Sequence, residues 1–242
     1  MPRIGMLTPS SNTVLEPVTT TMLAATPDVS LHVSRFRVTR IGLGADDRAQ
    51  FERDTILRAA ELLADARVDV ISWNGTSASW LGLERDRALA EAITAATGIP
   101  ARTCVLSLVE ILERVGARSL GIVSPYTDDV QARIVETYAA AGLACPAERH
   151  LGLADNFSFG LVEPETIAGL IREVAAAGPD AVTVLCTNMN GAAVAAGAET
   201  EGGPLMLDSV AVTLWGCLTA LGVPPAPLGR WGRLFRDARL AA

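Results

Sequence analysis

The chain is poor in the residues on which metal, nucleic-acid and membrane proteins depend. It has two histidines and four cysteines in 242 residues. The cysteines (Cys104, Cys145, Cys186 and Cys217) show no C-x-x-C spacing, which argues against a Cys/His zinc site, and no metal is expected. Only 19% of residues are charged, the net charge is −7 and the arginines are scattered. A nucleic-acid surface needs clustered positive charge, so that partner class is set aside. Long apolar runs are also scarce. The longest uncharged stretch, 181–198, carries Thr183, Thr187, Asn188, Asn190 and an N-x-N-G turn signal. A strand, a turn and an Ala-rich helix explain it better than a membrane span, so no membrane is expected. The N-terminal stretch shows no charged leader followed by an apolar core. The expected compartment is therefore the cytosol, where thiols stay reduced. What remains is a chain with half its residues hydrophobic, long enough to bury a substantial core.

Short apolar runs alternate with helical patterns, the signature of β-α units on a parallel sheet. The expected strands are "RIGMLTP", "VSLHVSRF", "VDVISWNG", "PARTCV", "RSLGIVSP", "DAVTVLC" and "GPLMLD". Between them, apolar residues recur at three and four, the helical spacing. The chain also repeats itself. "IGMLTPSSN" matches "LGIVSPYTD", pairing Gly5 with Gly121 and Pro9 with Pro125. "DVISWNGTS" matches "DAVTVLCTN", pairing Asp69 with Asp180 and Gly75 with Cys186. A third pair, "GIPARTCVLSLVEIL" and "GGPLMLDSVAVTLWGCL", follows in the same order. The expected fold is α/β, with two pseudosymmetric Rossmann-like parallel-sheet halves facing each other. Residues 1–95 plus 208–242 form one half and 96–207 the other. Ligands in such sheets sit beyond the carboxyl ends of the strands, so a site between the halves is expected.

Four strand-end loops would line that site: "SSN", "NGTS", "PYTD" and "CTN". They offer Ser10, Asn12, Gly75, Thr76, Ser77, Tyr126, Thr187 and Asn188 as substrate-binding candidates. Hydroxyls and helix-start N–H groups suit a carboxylate, or a carboxylate turning into an enediolate. Any single loop of this kind is more often a plain helix cap, and Thr13 and Glu16 have capping-box spacing. Convergence of four loops favours a site. A free cysteine is usually a small core residue, and Cys104, Cys145 and Cys217 are read that way. Cys186 differs because it ends a strand ahead of a helix, whose dipole would lower its pKa. His32 and His150 show no spacing for a Cys-His dyad, and His32 reads as structural. One half thus offers a thiol where the other offers only a hydrogen, and glycine leaves room there.

"PSSNTVLE", "NGTSASW", "PYTDDVQ", Asn156 after "GLAD", and "CTNMNG" together resemble the aspartate/glutamate racemase superfamily, in order and over essentially the whole chain. The resemblance implies two pseudosymmetric halves, an active site between them and no cofactor. Racemases and maleate cis-trans isomerases of that group use two cysteines, one per half. Here the second maps to Cys186 and the first falls at Gly75. Arylmalonate decarboxylases share that one-cysteine pattern. The likeness to them implies that Thr76, Ser77 and Tyr126 hold the retained carboxylate while Cys186, the catalytic candidate, protonates one face of an enediolate. "SSNT" and "CTNM" look more like the maleate isomerase and ectoine-utilisation branch, and Asn156 joins the binding set on the same ground. The leading expectation is a cofactor-free lyase or isomerase acting on a small carboxylic acid. A maleate isomerase-like or Asp/Glu/hydantoin racemase-like enzyme is the alternative. A non-catalytic carboxylate-binding module is the third reading, since fold alone does not exclude it. The oligomeric state stays open, a homo-oligomer included.

Overall fold

The computed structural model describes residues 1–241 and realises the alternation as two sheets of four parallel strands. The first part of the chain runs β1 (Arg3–Pro9), α1 (Leu15–Leu23), β2 (Ser30–Phe36), α2 (Ala45–Ala49) and α3 (Arg53–Asp65). It continues through β3 (Val70–Trp73), α4 (Ala78–Leu81), α5 (Leu83–Thr97), β4 (Ala101–Thr103) and α6 (Cys104–Val115). The second part runs β5 (Leu120–Ser124), α7 (Asp128–Ala140), β6 (Glu148–His150), α8 (Asn156–Phe159) and α9 (Pro164–Ala175). Then follow β7 (Ala181–Val184), α10 (Ala192–Gly197), β8 (Leu205–Asp208) and α11 (Ser209–Ala220), with short 3-10 turns after it.

The strand orders are β2-β1-β3-β4 and β6-β5-β7-β8, the same order twice. Register repeats as well. Gly5 pairs with Ile71 and Leu7 with Trp73; Gly121 pairs with Val182 and Val123 with Val184. Trp73 and Val184 are therefore equivalent positions. The matched aspartates explain part of this identity. Asp69 Oδ2 accepts from the Arg3 N–H at 2.7 Å, and Asp180 Oδ2 accepts from the Arg118 and Ser119 N–H groups at 2.8 Å. Each carboxylate thereby pins the start of a central strand to its neighbour, and those backbone bonds hold both carboxyls below the usual range. The matched glycines share a reason too. A Cβ on Gly5 would come within 2.9 Å of Val68, and one on Gly121 within 2.4 Å of Val174. Only a hydrogen allows that approach.

All four residues of β3 and of β7 are buried, as expected for strands covered on both faces. The sequence missed β6, whose three residues, Glu-Arg-His, carry no apolar signal. The boundary drawn at residue 95 also needs correction. β4 pairs in parallel with β3, so the first sheet extends to Thr103 before α6 leaves it. α11 springs from β8 of the second sheet yet packs on α6, α1, β3 and β4. Among the described residues no helix is long and apolar enough to cross a membrane.

Two carboxyl groups are enclosed where the edge strands end. Asp208 Oδ1 accepts from the Val210 and Ala211 N–H groups at 2.8 and 3.1 Å, capping α11, while Oδ2 is buried without a partner. Asp86 accepts from the Thr103 hydroxyl, the oxygen that caps α6. Burial pushes both groups up to about 7. Between about pH 4 and pH 7 the folded chain holds protons that the unfolded chain has released. The stability these two groups contribute is thus present at the acid end and lost as pH rises through that window. Asp208→Asn keeps a capping oxygen and should flatten the fall in Tm across it. Calorimetry at a series of pH values checks this; an unchanged slope would mean that Asp208 does not titrate there.

Candidate active site

The strand-end loops meet across the two halves, each bonded to a loop of the other. Asn12 Nδ2 donates to Thr187 O at 3.1 Å and to Thr187 Oγ1 at 3.2 Å. Thr187 Oγ1 donates to Asn74 O at 3.1 Å. Thr76 Oγ1 and Tyr126 OH lie 2.6 Å apart. Asn188 receives the Thr13 N–H on Oδ1 at 2.8 Å and donates through Nδ2 to Asn156 O at 2.5 Å. Asn156 Nδ2 reaches Ser11 Oγ at 2.7 Å. Asn12, Thr76, Tyr126, Asn156, Thr187 and Asn188 are all at most 5% exposed. A polar cluster buried this deeply holds together only because its members satisfy one another.

Local structure explains each placement. Asn12 Oδ1 accepts from the Val14 and Leu15 N–H groups, so Asn12 caps α1 and presents its amide to the other half. The capping box expected of Thr13 and Glu16 does not form; Glu16 instead pairs with Arg35. Arg35 also donates to Ser10 O and Asn12 O at 3.0 and 2.9 Å, which clamps the first loop. Ser10 is left outside the cluster. It is exposed, and its Oγ exchanges hydrogen bonds with Val38 O and N instead. Ser77 is buried at the start of α4 beside Thr76, and its side chain forms no cap bond there.

Cys186 is 3% exposed, receives the Asn188 N–H on its sulfur at 3.4 Å, and neighbours Tyr126. The expected fall in its pKa is overturned. No helix starts at its amide, because α10 begins six positions later at Ala192. Burial instead pushes the thiol up to about 12. Burial likewise raises the Tyr126 phenol well above its usual value. The pair is therefore neutral, and each group can give a proton only to a strong base. Cys104 and Cys217 are buried core residues as expected, whereas Cys145 is half-buried. His32 contacts Ser30, and His150 bonds Glu148 and Asp128 at 2.8 and 2.9 Å, so neither reaches Cys186.

Composition hid one feature. Phe36, Trp73, Phe51, Trp80, Tyr126 and Phe159 form an unbroken string of ring contacts, 5.0 to 6.3 Å between centroids, around the loops. The expectation that glycine leaves room at position 75 is corrected here, because the Trp73 ring fills that room. Isolated aromatic positions in the sequence carry no sign of such convergence.

An arylmalonate decarboxylase family model matches residues 8–235, nearly the whole chain. The chain belongs to the arylmalonate decarboxylase family. Its relatives span two chemistries. A maleate isomerase of Nocardia farcinica is 29% identical, over 97% of this chain and 96% of its own. An arylmalonate decarboxylase of Bordetella bronchiseptica is 25% identical, over 84% and 87%. Among solved structures, a cysteine-to-serine variant of the N. farcinica maleate cis-trans isomerase superposes with a TM-score of 0.87 at 26% identity, covering 98% of both chains. That structure carries a covalently bound succinylcysteine intermediate. These likenesses make the chain an isomerase or decarboxylase.

The state of the Cys186 thiol is directly testable. Its alkylation by iodoacetamide, followed by mass spectrometry, should keep rising with pH through about pH 10. An ordinary thiol levels off above ~8.5. A plateau there would show that Cys186 is not held in its neutral form.

Proposed function

We propose that the chain decarboxylates a small 2-substituted malonate-like diacid, with Cys186 delivering the proton. The observation that carries this reading is the asymmetry at equivalent strand ends, a neutral thiol at Cys186 opposite a glycine at Gly75. Decarboxylation needs one proton delivery, whereas reversible inversion needs an acid and a base on opposite faces. One thiol suffices for the first and not for the second.

In this reading the retained carboxylate displaces the Thr76–Tyr126 hydrogen bond and takes both hydroxyls, together with Ser77, as donors. Their value grows as the carboxylate becomes an enediolate with more negative charge, so they favour the transition state over the ground state. Asn12, Thr187, Asn188 and Asn156 act as a frame that fixes the distance between the loops. The bond from the α-carbon to the departing carboxylate breaks, CO2 leaves, and the electron pair stays on the retained acid. Cys186 transfers its proton to the α-carbon, and the thiolate regains one from water. A high thiol pKa suits this role, since the group arrives protonated and the acceptor is strongly basic.

The isomerase reading draws on the maleate isomerases among the relatives and on the Asn-rich frame. Thiol addition to a double bond requires a thiolate, which burial of Cys186 opposes.

A turnover screen of substituted malonates and maleate, read by NMR in deuterated water, separates the two readings. Cys186→Ala should abolish product with little change in Tm. Cys186→Ser keeps a similar shape but is a far weaker acid, so turnover should drop by about two to four decades. Near wild-type activity in Cys186→Ala would sink the assignment, and isomerisation of maleate without loss of CO2 would select the second reading.

A further inference from the structure

We infer that Trp73, paired with Gly75, keeps proton delivery one-sided by filling with its indole the place that a first-half donor would need. The inference rests on the decarboxylase reading of the site.

Repeated register makes Gly75 the counterpart of Cys186 and Trp73 the counterpart of Val184. The glycine is not there for its backbone, since Gly75 is absent from the glycines with positive φ. It is there for space. A Cβ at position 75 would lie 1.9 Å from Trp73 Cζ2, 2.3 Å from Cε2 and 2.6 Å from Cη2. Atoms cannot approach so closely, and the ring has nowhere to go. Trp73 is 1% exposed, lies against Phe36 at 5.0 Å and Phe51 at 6.3 Å, and sits on a strand paired on both sides. In the second half the equivalent Val184 packs toward Gly191, where a Cβ would meet its Cγ1 at 2.8 Å. The smaller side chain leaves Cys186 its place. The first half is thus sealed by volume as well as by the lack of a thiol.

A chemical consequence follows. The atoms facing position 75 are ring carbons, which hold no proton exchangeable at neutral pH. They also exclude water from that side of a planar enediolate. Cys186 then protonates the α-carbon alone, and a single enantiomer results. With the indole removed, water can protonate the opposite face: it gives a proton to the α-carbon and leaves as hydroxide, with the thiol unchanged.

The test uses 2-methyl-2-phenylmalonate, a prochiral diacid, with chiral chromatography of the product and Tm as paired readouts. Wild type should give one enantiomer. Trp73→Val should give a mixture of both, a change that loss of packing alone does not produce. Gly75→Cys alone should lower Tm, and Trp73→Val/Gly75→Cys should recover toward Trp73→Val. The double variant should also exchange the α-proton of either product enantiomer for deuterium. If Trp73→Val does not fold, Trp73→Phe trims the benzo ring that meets position 75 and gives the same comparison. A folded Trp73 variant with unchanged enantiopurity would overturn the inference, as would Gly75→Cys with wild-type Tm. If wild type releases no CO2 from any malonate, the decarboxylase reading falls, and the Tm pattern alone decides the placing of Trp73.

Discussion

The site exists because a set of polar contacts joins strand-end loops that belong to different sheets. Asn12 reaches Thr187, and Thr76 meets Tyr126, each across the line between the halves. Buried hydrogen bonds of this kind add only about 1 kcal/mol each, but leaving such groups unpaired costs about 1–3 kcal/mol apiece. The penalty therefore fixes the geometry more firmly than the gain does. The loops that would hold a carboxylate are the loops that hold the halves together, so binding and framing share residues.

Symmetry is nearly complete in the frame and broken at the chemistry. The strand order, the register, the two pinning aspartates and the two close-packed glycines all recur. The breaks fall together at the strand ends, with glycine against cysteine and tryptophan against valine. One half keeps a thiol so deeply buried that it stays neutral. The other presents an aromatic wall. A duplicated scaffold with unequal faces is what one-sided proton delivery requires.

Much of this was legible in the residues. Alternating apolar runs and helical spacing disclosed a parallel α/β architecture, and the repeated "GMLTP/GIVSP" and "DVISW/DAVTV" stretches disclosed its duplication. Placing four similar loops at equivalent strand ends brought Asn12, Thr76, Tyr126 and Thr187 forward as neighbours, while their bonding to one another across the halves shows only in the structure. β6 escaped notice because a short edge strand of charged residues has no periodicity to read. Ser10 stands beside Ser11 and Asn12 in the sequence, yet its hydroxyl turns to the Val38 backbone just after β2.

By itself the sequence determined the layer arrangement, the two-fold repetition and the single thiol, because each is a matter of which residue type stands at which period. Tertiary structure decided three things that no spacing encodes. It decided the protonation of Cys186, because burial is a property of everything packed around a group. It decided the helix cap at Asn12 in place of Thr13, because capping depends on where the chain turns. And it decided that position 75 is closed, because whether a side chain fits depends on the ring that already stands there.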